Sequence, residues 1–303
     1  VKPVKNILTA TDLSDASSHA VERGFELAKN CNAHFSIIYT LGMNTFLFPL
    51  RRLLGQNTAR MTRKVLYEQM TAFQNIADKS AQNPETRSSL QLAPGLVLST
   101  IPRFAEAVNA DMILIGFCTQ SIIHRLTIGF TVTHLLRKRK APILIVKTPC
   151  AGAYKKILIP VDFSPIAEPA IRMAKEMAPE ADIVLLNIFG VPFEGMLRRA
   201  GVADDLICQY RAEAKKRATL QICKLAHQAG LSSADFSVAI EHGDAAEIIL
   251  EQASYYNSDL IVMGKQRTHL AEELLLRSVT KKVISDANAD ILVVADRHST
   301  ASS

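Results

Sequence analysis

The sequence predicts two consecutive α/β domains, each a parallel sheet covered by helices on both faces. Three observations predict this: an internal repeat, strands alternating with helical segments, and enough apolar content for two cores. At 303 residues and 48% hydrophobic content, the chain is the length of two ordinary domains, each able to bury its own core. The repeat comes first because it decides the architecture.

NILTATDLS at Asn6 to Ser14 matches KILIPVDFS at Lys156 to Ser164, an offset of 150 residues. Each is an apolar strand ending in Asp, one residue, then Ser. Four further pairs follow, all at an offset of 148: AHFSIIYTL at Ala33 with ADIVLLNIF at Ala181, LQLAPG at Leu90 with VAIEHG at Val238, ADMILIGF at Ala110 with SDLIVMGK at Ser258, and APILIVK at Ala141 with ADILVVA at Ala289. The only net length change therefore falls in or beside the first helix of each half. Domains of 1–150 and 151–303 are expected.

Between the strands the period becomes helical. Val21, Phe25 and Ala28 share one face in the first half, and Ala170, Met173, Ala174 and Met177 share one in the second. The next helices carry Met70, Phe73 and Ile76, and Leu206, Tyr210 and Ala214, on the faces expected to be apolar. Each half then reads β-α-β-α-β-α-β-α-β. Strongly apolar strands alternating with amphipathic helices imply a parallel sheet buried on both faces. Ser14 and Ser164 are N-cap candidates, with Pro165 at a first helical position. Gly95 and Gly243 end the third strands, and Asp244 is placed to favour the helix start that follows it.

Several function classes are excluded or disfavoured by composition. The longest apolar runs, such as MILIGFC from Met112, are strand-sized, so no membrane span is expected. The sequence opens on an apolar strand rather than a charged leader, and its five cysteines contain no CxxC pair, so a cytoplasmic setting is expected. The tail from Arg297 is small and polar. Residues 1 to 150 hold 18 Lys+Arg against 9 Asp+Glu, and residues 151 to 303 hold 17 against 20. The first half is thus basic, but without a basic helix or interleaved aromatics it is a poor nucleic-acid signature, and no nucleic acid is expected. Arg137 to Lys140 end a helix, where cations suit the macrodipole. His124, His134 and His269 lack a Cys or carboxylate at ligand spacing, so no metal is expected.

The strand-Asp-x-Ser starts, GDAAEIIL, DLIVMGK and SVTKKVI…ADILVV together resemble universal stress protein domains, one per half. The resemblance covers nearly the whole chain and is closer in the second half. It implies two Rossmann-like domains of the adenine nucleotide alpha hydrolase type, each a five-stranded parallel sheet of order 3-2-1-4-5. It also implies a stress-related regulatory role, and ATP binding in some members only. Those members carry G-x2-G-x9-G-[S/T] after the fourth strand, where glycines let backbone N–H groups approach phosphates beside a helix N-terminus. With this strand order the ligand crevice lies over the ends of the first and fourth strands, at Asp12 with Gly116 and at Asp162 with Gly264.

Each half departs from the motif differently. After Gly116 the second glycine position is Thr119, the third is Gly129, and the hydroxyl position is Phe130. After Gly264 the second and third glycine positions are Arg267 and Arg277, while Ser278 and Val279 fit. Asp12 and Asp162 read either as carboxylates holding a base or ribose or as turn and capping groups. Lys265, Arg267 and Arg277 read either as phosphate-neutralising cations or as the filling of a lost site. Leu50-Arg51-Arg52 and Leu197-Arg198-Arg199 read as flaps over the crevice or as solvated helix starts, and Cys118 as a crevice thiol or a small filler.

Three functions are carried forward. The first is a regulatory module binding ATP or another small phosphorylated or acidic ligand. The second is an interaction protein whose crevices are closed by Phe130 and Arg277. The third, weak ATP hydrolysis, finds no general base or metal ligand set. The resemblance also implies that the two fifth strands meet, so that one chain imitates a dimer, and it leaves a further homodimer open.

Overall fold

A computed structural model of the chain describes residues 3–40, 71, 74–76, 78, 86–93, 97–117, 130–138, 141–189, 203–265 and 278–295. It divides into two compact units, Lys2–Ala153 and Tyr154–Ser303. Among the described residues no helix is long and apolar enough to cross a membrane.

The first unit runs β1 (Asn6–Thr11), α1 (Asp15–Asn30), β2 (His34–Thr40), β3 (Ser88–Ala93), α2 (Val97–Ala107), β4 (Met112–Gly116), α3 (Phe130–Lys138) and β5 (Ile143–Val146). Residues 74–76 are also helical, with Ile76 buried. The second unit runs β6 (Lys156–Pro160), α4 (Ala167–Met177), β7 (Asp182–Phe189), α5 (Asp204–Gln228), β8 (Phe236–His242), α6 (Ala245–Tyr255), β9 (Leu260–Lys265), α7 (Ser278–Asp286) and β10 (Asp290–Ala295). Within the first unit the sheet order is β3-β2-β1-β4-β5, and within the second β8-β7-β6-β9-β10, all parallel. Counted within each unit, both orders are 3-2-1-4-5, as the resemblance implies.

Alternation of apolar runs with helices is what makes these sheets parallel, since each crossover helix must cover a face. Ile7, Leu8, Ile37, Ile38, Ile113, Leu114 and Leu144 are buried in the first sheet, and Ile157, Leu158, Leu185, Leu186, Ile261 and Val262 in the second. Val21, Phe25 and Ala28 pack inward from α1, with the Phe25 and Phe35 rings edge to face at 4.8 Å. Ala170, Met173, Ala174 and Met177 do the same from α4. Asp244 caps α6, accepting from the Ala246 and Glu247 N–H groups at 3.1 Å each.

Two expectations are corrected. Ser14 caps α1, accepting from the Ser17 N–H, but Ser164 does not cap α4. Pro165 and Ile166 form a turn instead, Ile166 is the N-cap residue without a side-chain bond, and the Ser164 hydroxyl is buried without a partner. Second, Leu206 and Tyr210 do not face the core: they are 59% and 50% exposed. The buried stripe of α5 is Ala218, Ile222 and Ala226, and Leu206 and Tyr210 lie on the opposite side of the helix from it.

A repeated carboxylate fixes the other end of each sheet. Asp111, which is buried, accepts from the Lys5 and Asn6 N–H groups at 3.0 and 3.1 Å. Asp259, 148 residues later, accepts from Lys155 and Lys156 at 2.7 and 3.1 Å in a more exposed setting. Each thereby ties the start of the fourth strand to the start of the first. Asp111→Ala is expected to lower stability by about 1–3 kcal/mol, because it leaves backbone donors unpaired away from water. Asp259→Ala should cost less. Denaturant unfolding of the two variants measures the order.

Candidate functional site

The chain leaves β1 through Asp12, Leu13 and Ser14 and enters α1 at once. The Asp12 Oδ1 accepts from the Ser14 N–H at 3.0 Å and from the Ser14 hydroxyl, an Asx-type turn that mimics backbone. Asp162 does the same for the Ser164 N–H at 3.1 Å. The residue between is left-handed in both: Leu13 at φ 65° and Phe163 at φ 56°. Neither is glycine or asparagine, so each pays backbone strain that the surrounding contacts must hold.

That sharp turn lays the helix start against the fourth strand. A Cβ on Gly116 would come within 2.6 Å of the Ser17 nitrogen and closer still to the Ala16 carbonyl. A Cβ on Gly264 would come within 2.6 Å of Ile166 Cγ2. Both glycines are therefore required by helix-against-strand packing, independently of any ligand. The structure brings together Asp12 with Gly116, and Asp162 with Gly264 and Lys265, at neighbouring strand ends. Both carboxylate residues are exposed there. Val279 lies in the first turn of α7, which Ser278 begins. Gly129, Arg267 and Arg277 lie outside the described residues, as do Thr119, Cys118, His124, His269 and both Leu-Arg-Arg segments.

Two residues that sequence reasoning passed over distinguish the crevices. Tyr39 stands beside Thr11 on the neighbouring strand, buried, and its phenol is pushed above its ordinary pKa first by burial and then by the Asp12 charge. Its counterpart 148 residues later is Asn187, also buried, whose Nδ2 donates to the Val161 carbonyl at 2.7 Å. This amide holds the strand end that carries Asp162. In the first domain the same region is held by hydroxyls: Thr11 Oγ1 accepts from the Leu13 N–H at 3.0 Å and pairs with Ser17 Oγ at 2.9 Å. The constant offset is the signal that aligns Tyr39 with Asn187.

Two doubly wound domains in tandem, each with its first and fourth strands adjacent at the point where the strand order reverses, define a Rossmann-like two-domain α/β protein. The sequence profile of the universal stress protein family matches residues 3–147 and again 153–295. The chain belongs to the universal stress protein family. It is 33% identical over 144 residues to a universal stress protein of Methanocaldococcus jannaschii, covering 46% of this chain and 82% of that one. It is 34% identical over 148 residues to universal stress protein A homolog 2 of Coxiella burnetii, covering 46% and 94%. The fold is also similar to the crystal structure of a universal stress protein from Archaeoglobus fulgidus, with a TM-score of 0.66 and 18% identity over 96% of this chain and 98% of that one.

Alanine at either glycine should destabilise its domain by about 1–3 kcal/mol through overpacking. Gly116→Ala is expected to cost more, because it meets backbone, whereas Gly264→Ala meets a side-chain methyl. Denaturant unfolding of both variants measures the difference.

Proposed function

We propose that the chain is a cytoplasmic stress-response regulatory module. In this reading its crevices take ATP or another small phosphorylated or acidic ligand. The observation that carries the reading is the strained Asp-x-Ser turn, kept in both domains with an exposed carboxylate at the strand end. Strain held at a strand's C-terminal end, in a sheet of this order, marks the usual ligand crevice. Asp12, Gly116 and Gly129 would line the first crevice. Asp162, Gly264, Lys265, Arg267, Arg277, Ser278 and Val279 would line the second, where the cations favour an anionic ligand. The domains are taken as 1–150 and 151–303.

A second reading, a protein that acts through partners with its crevices closed, is favoured by one observation. Gly116 and Gly264 are accounted for by packing alone. Denaturing the purified chain and analysing what it releases by mass spectrometry separates the two. Stoichiometric nucleotide, with an affinity weakened about tenfold or more in Asp162→Asn or Asp12→Asn, is expected on the first reading. An empty protein that gives no heat with ATP in calorimetry would favour the second.

We further propose that the two domains pair through their fifth strands. β5 and β10 are the outermost strands at one side of their own sheets, and apolar strand edges need cover. Ile145→Lys and Val293→Lys should each lower the melting temperature and expand the chain in small-angle scattering. Unchanged stability and size would contradict the pairing.

A further inference from the structure

We infer that α5 carries a self-complementary docking face through which two copies of this chain associate, their α5 helices antiparallel. At 25 residues α5 is about 37 Å long, at 1.5 Å per residue. Its domain uses one stripe of it: Ala218, Ile222 and Ala226, with Ala229 at the C-cap, are buried four and three residues apart. Leu220 lies about 200° around the helix from both Ala218 and Ile222 and is 64% exposed.

Leu220 is not isolated. Leu206, Tyr210, Glu213, Arg217 and Leu220 follow one another at steps of four, three, four and three, the spacing of a helix-pairing seam. All five are exposed, Leu206 at 59%, Tyr210 at 50%, and the Glu213 and Arg217 side chains at 56% and 65%. Large apolar residues on the solvent side of a helix, at seam spacing, are the pattern of a face with a partner.

The charges name the partner. Glu213 and Arg217 sit on the same face, 3.5 Å apart as an i,i+4 pair. In an antiparallel pair of α5 helices related by a two-fold axis, placing Tyr210 against Leu220 of the second copy puts Glu213 against Arg217 of that copy. The symmetry then repeats both contacts in reverse. From Tyr210 to Leu220 apolar layers flank two opposite-charge layers, and this stretch is its own complement, as an isologous dimer requires, while Leu206 falls opposite the exposed Lys224, whose aliphatic stem can cover it. Parallel pairing in register would set Glu213 against Glu213 and Arg217 against Arg217, which like-charge repulsion opposes. The seam spans fewer residues than a standard interface, so association is expected to depend on protein concentration.

Sedimentation velocity of the full chain over a range of concentrations tests this. The wild type is expected to dimerise reversibly, and Glu213→Arg or Arg217→Glu alone should weaken the dimer by about tenfold or more, since each sets like charges together. The double variant E213R/R217E restores every opposite-charge contact and should recover the wild-type constant to within about threefold. Leu220→Lys should abolish the dimer by a route independent of the charge pair. All three positions are exposed, and circular dichroism checks that the fold is retained. A wild type that stays monomeric throughout would overturn the inference. So would a dimer indifferent to the single reversals, or one that the double variant fails to restore.

Discussion

The close approach of the first helix of each domain to the end of its fourth strand is the constraint on which the rest depends. At Gly116 the strand lies so near the Ala16–Ser17 backbone that no side chain fits, and at Gly264 the Ile166 side chain occupies the space. Such contact is reached only if the chain turns sharply after β1 and β6. The left-handed Leu13 and Phe163, held by Asx bonds from Asp12 and Asp162, make that turn. Because the helix then runs back along the sheet, it buries Val21 and Phe25 in one domain and Ile171 and Met173 in the other. The same turn leaves the two carboxylates exposed where the strand order opens a crevice. Fold and candidate site are thus one piece of geometry.

The duplicated architecture was legible because apolar periodicity and a fixed offset are properties of the sequence itself. β2, β3 and β4 start at His34, Ser88 and Met112, and β7, β8 and β9 each start 148 residues later. The net change of two residues falls between the starts of the first and second strands, the stretch that holds α1 in one domain and α4 in the other. What escaped reading was decided by tertiary contacts. Ser164 and Pro165 have the composition of a helix start, yet Ile166 must fill the space beside Gly264, and α4 begins after it. Leu206 and Tyr210 have core-like spacing, but they lie on the side of their helix opposite its buried stripe. Periodicity says which face is apolar, and not what that face meets.

The candidate site was legible at Asp12, Asp162, Gly116 and Gly264, and their physical roles were only half visible. The family resemblance implied phosphate recognition for the glycines, whereas packing alone already requires them. Tyr39 and Asn187 carry no motif, and their contribution appears only when neighbouring strands are in register. One domain braces its turn with the Thr11 and Ser17 hydroxyls, the other with the Asn187 amide. The strand order repeats between the domains while the side chains that brace the turn after the first strand differ.

The central claim is that a left-handed residue between Asp and Ser sets each crevice. Phe163→Gly tests it most directly, because Phe163 is 39% exposed and its ring contributes less packing than a core side chain. A left-handed residue with a Cβ costs about 1–2 kcal/mol that glycine avoids. Denaturant unfolding of Phe163→Gly should therefore show stability equal to or above that of the wild type. A loss of about 1 kcal/mol or more, the ordinary penalty for glycine in right-handed or extended backbone, would contradict the account.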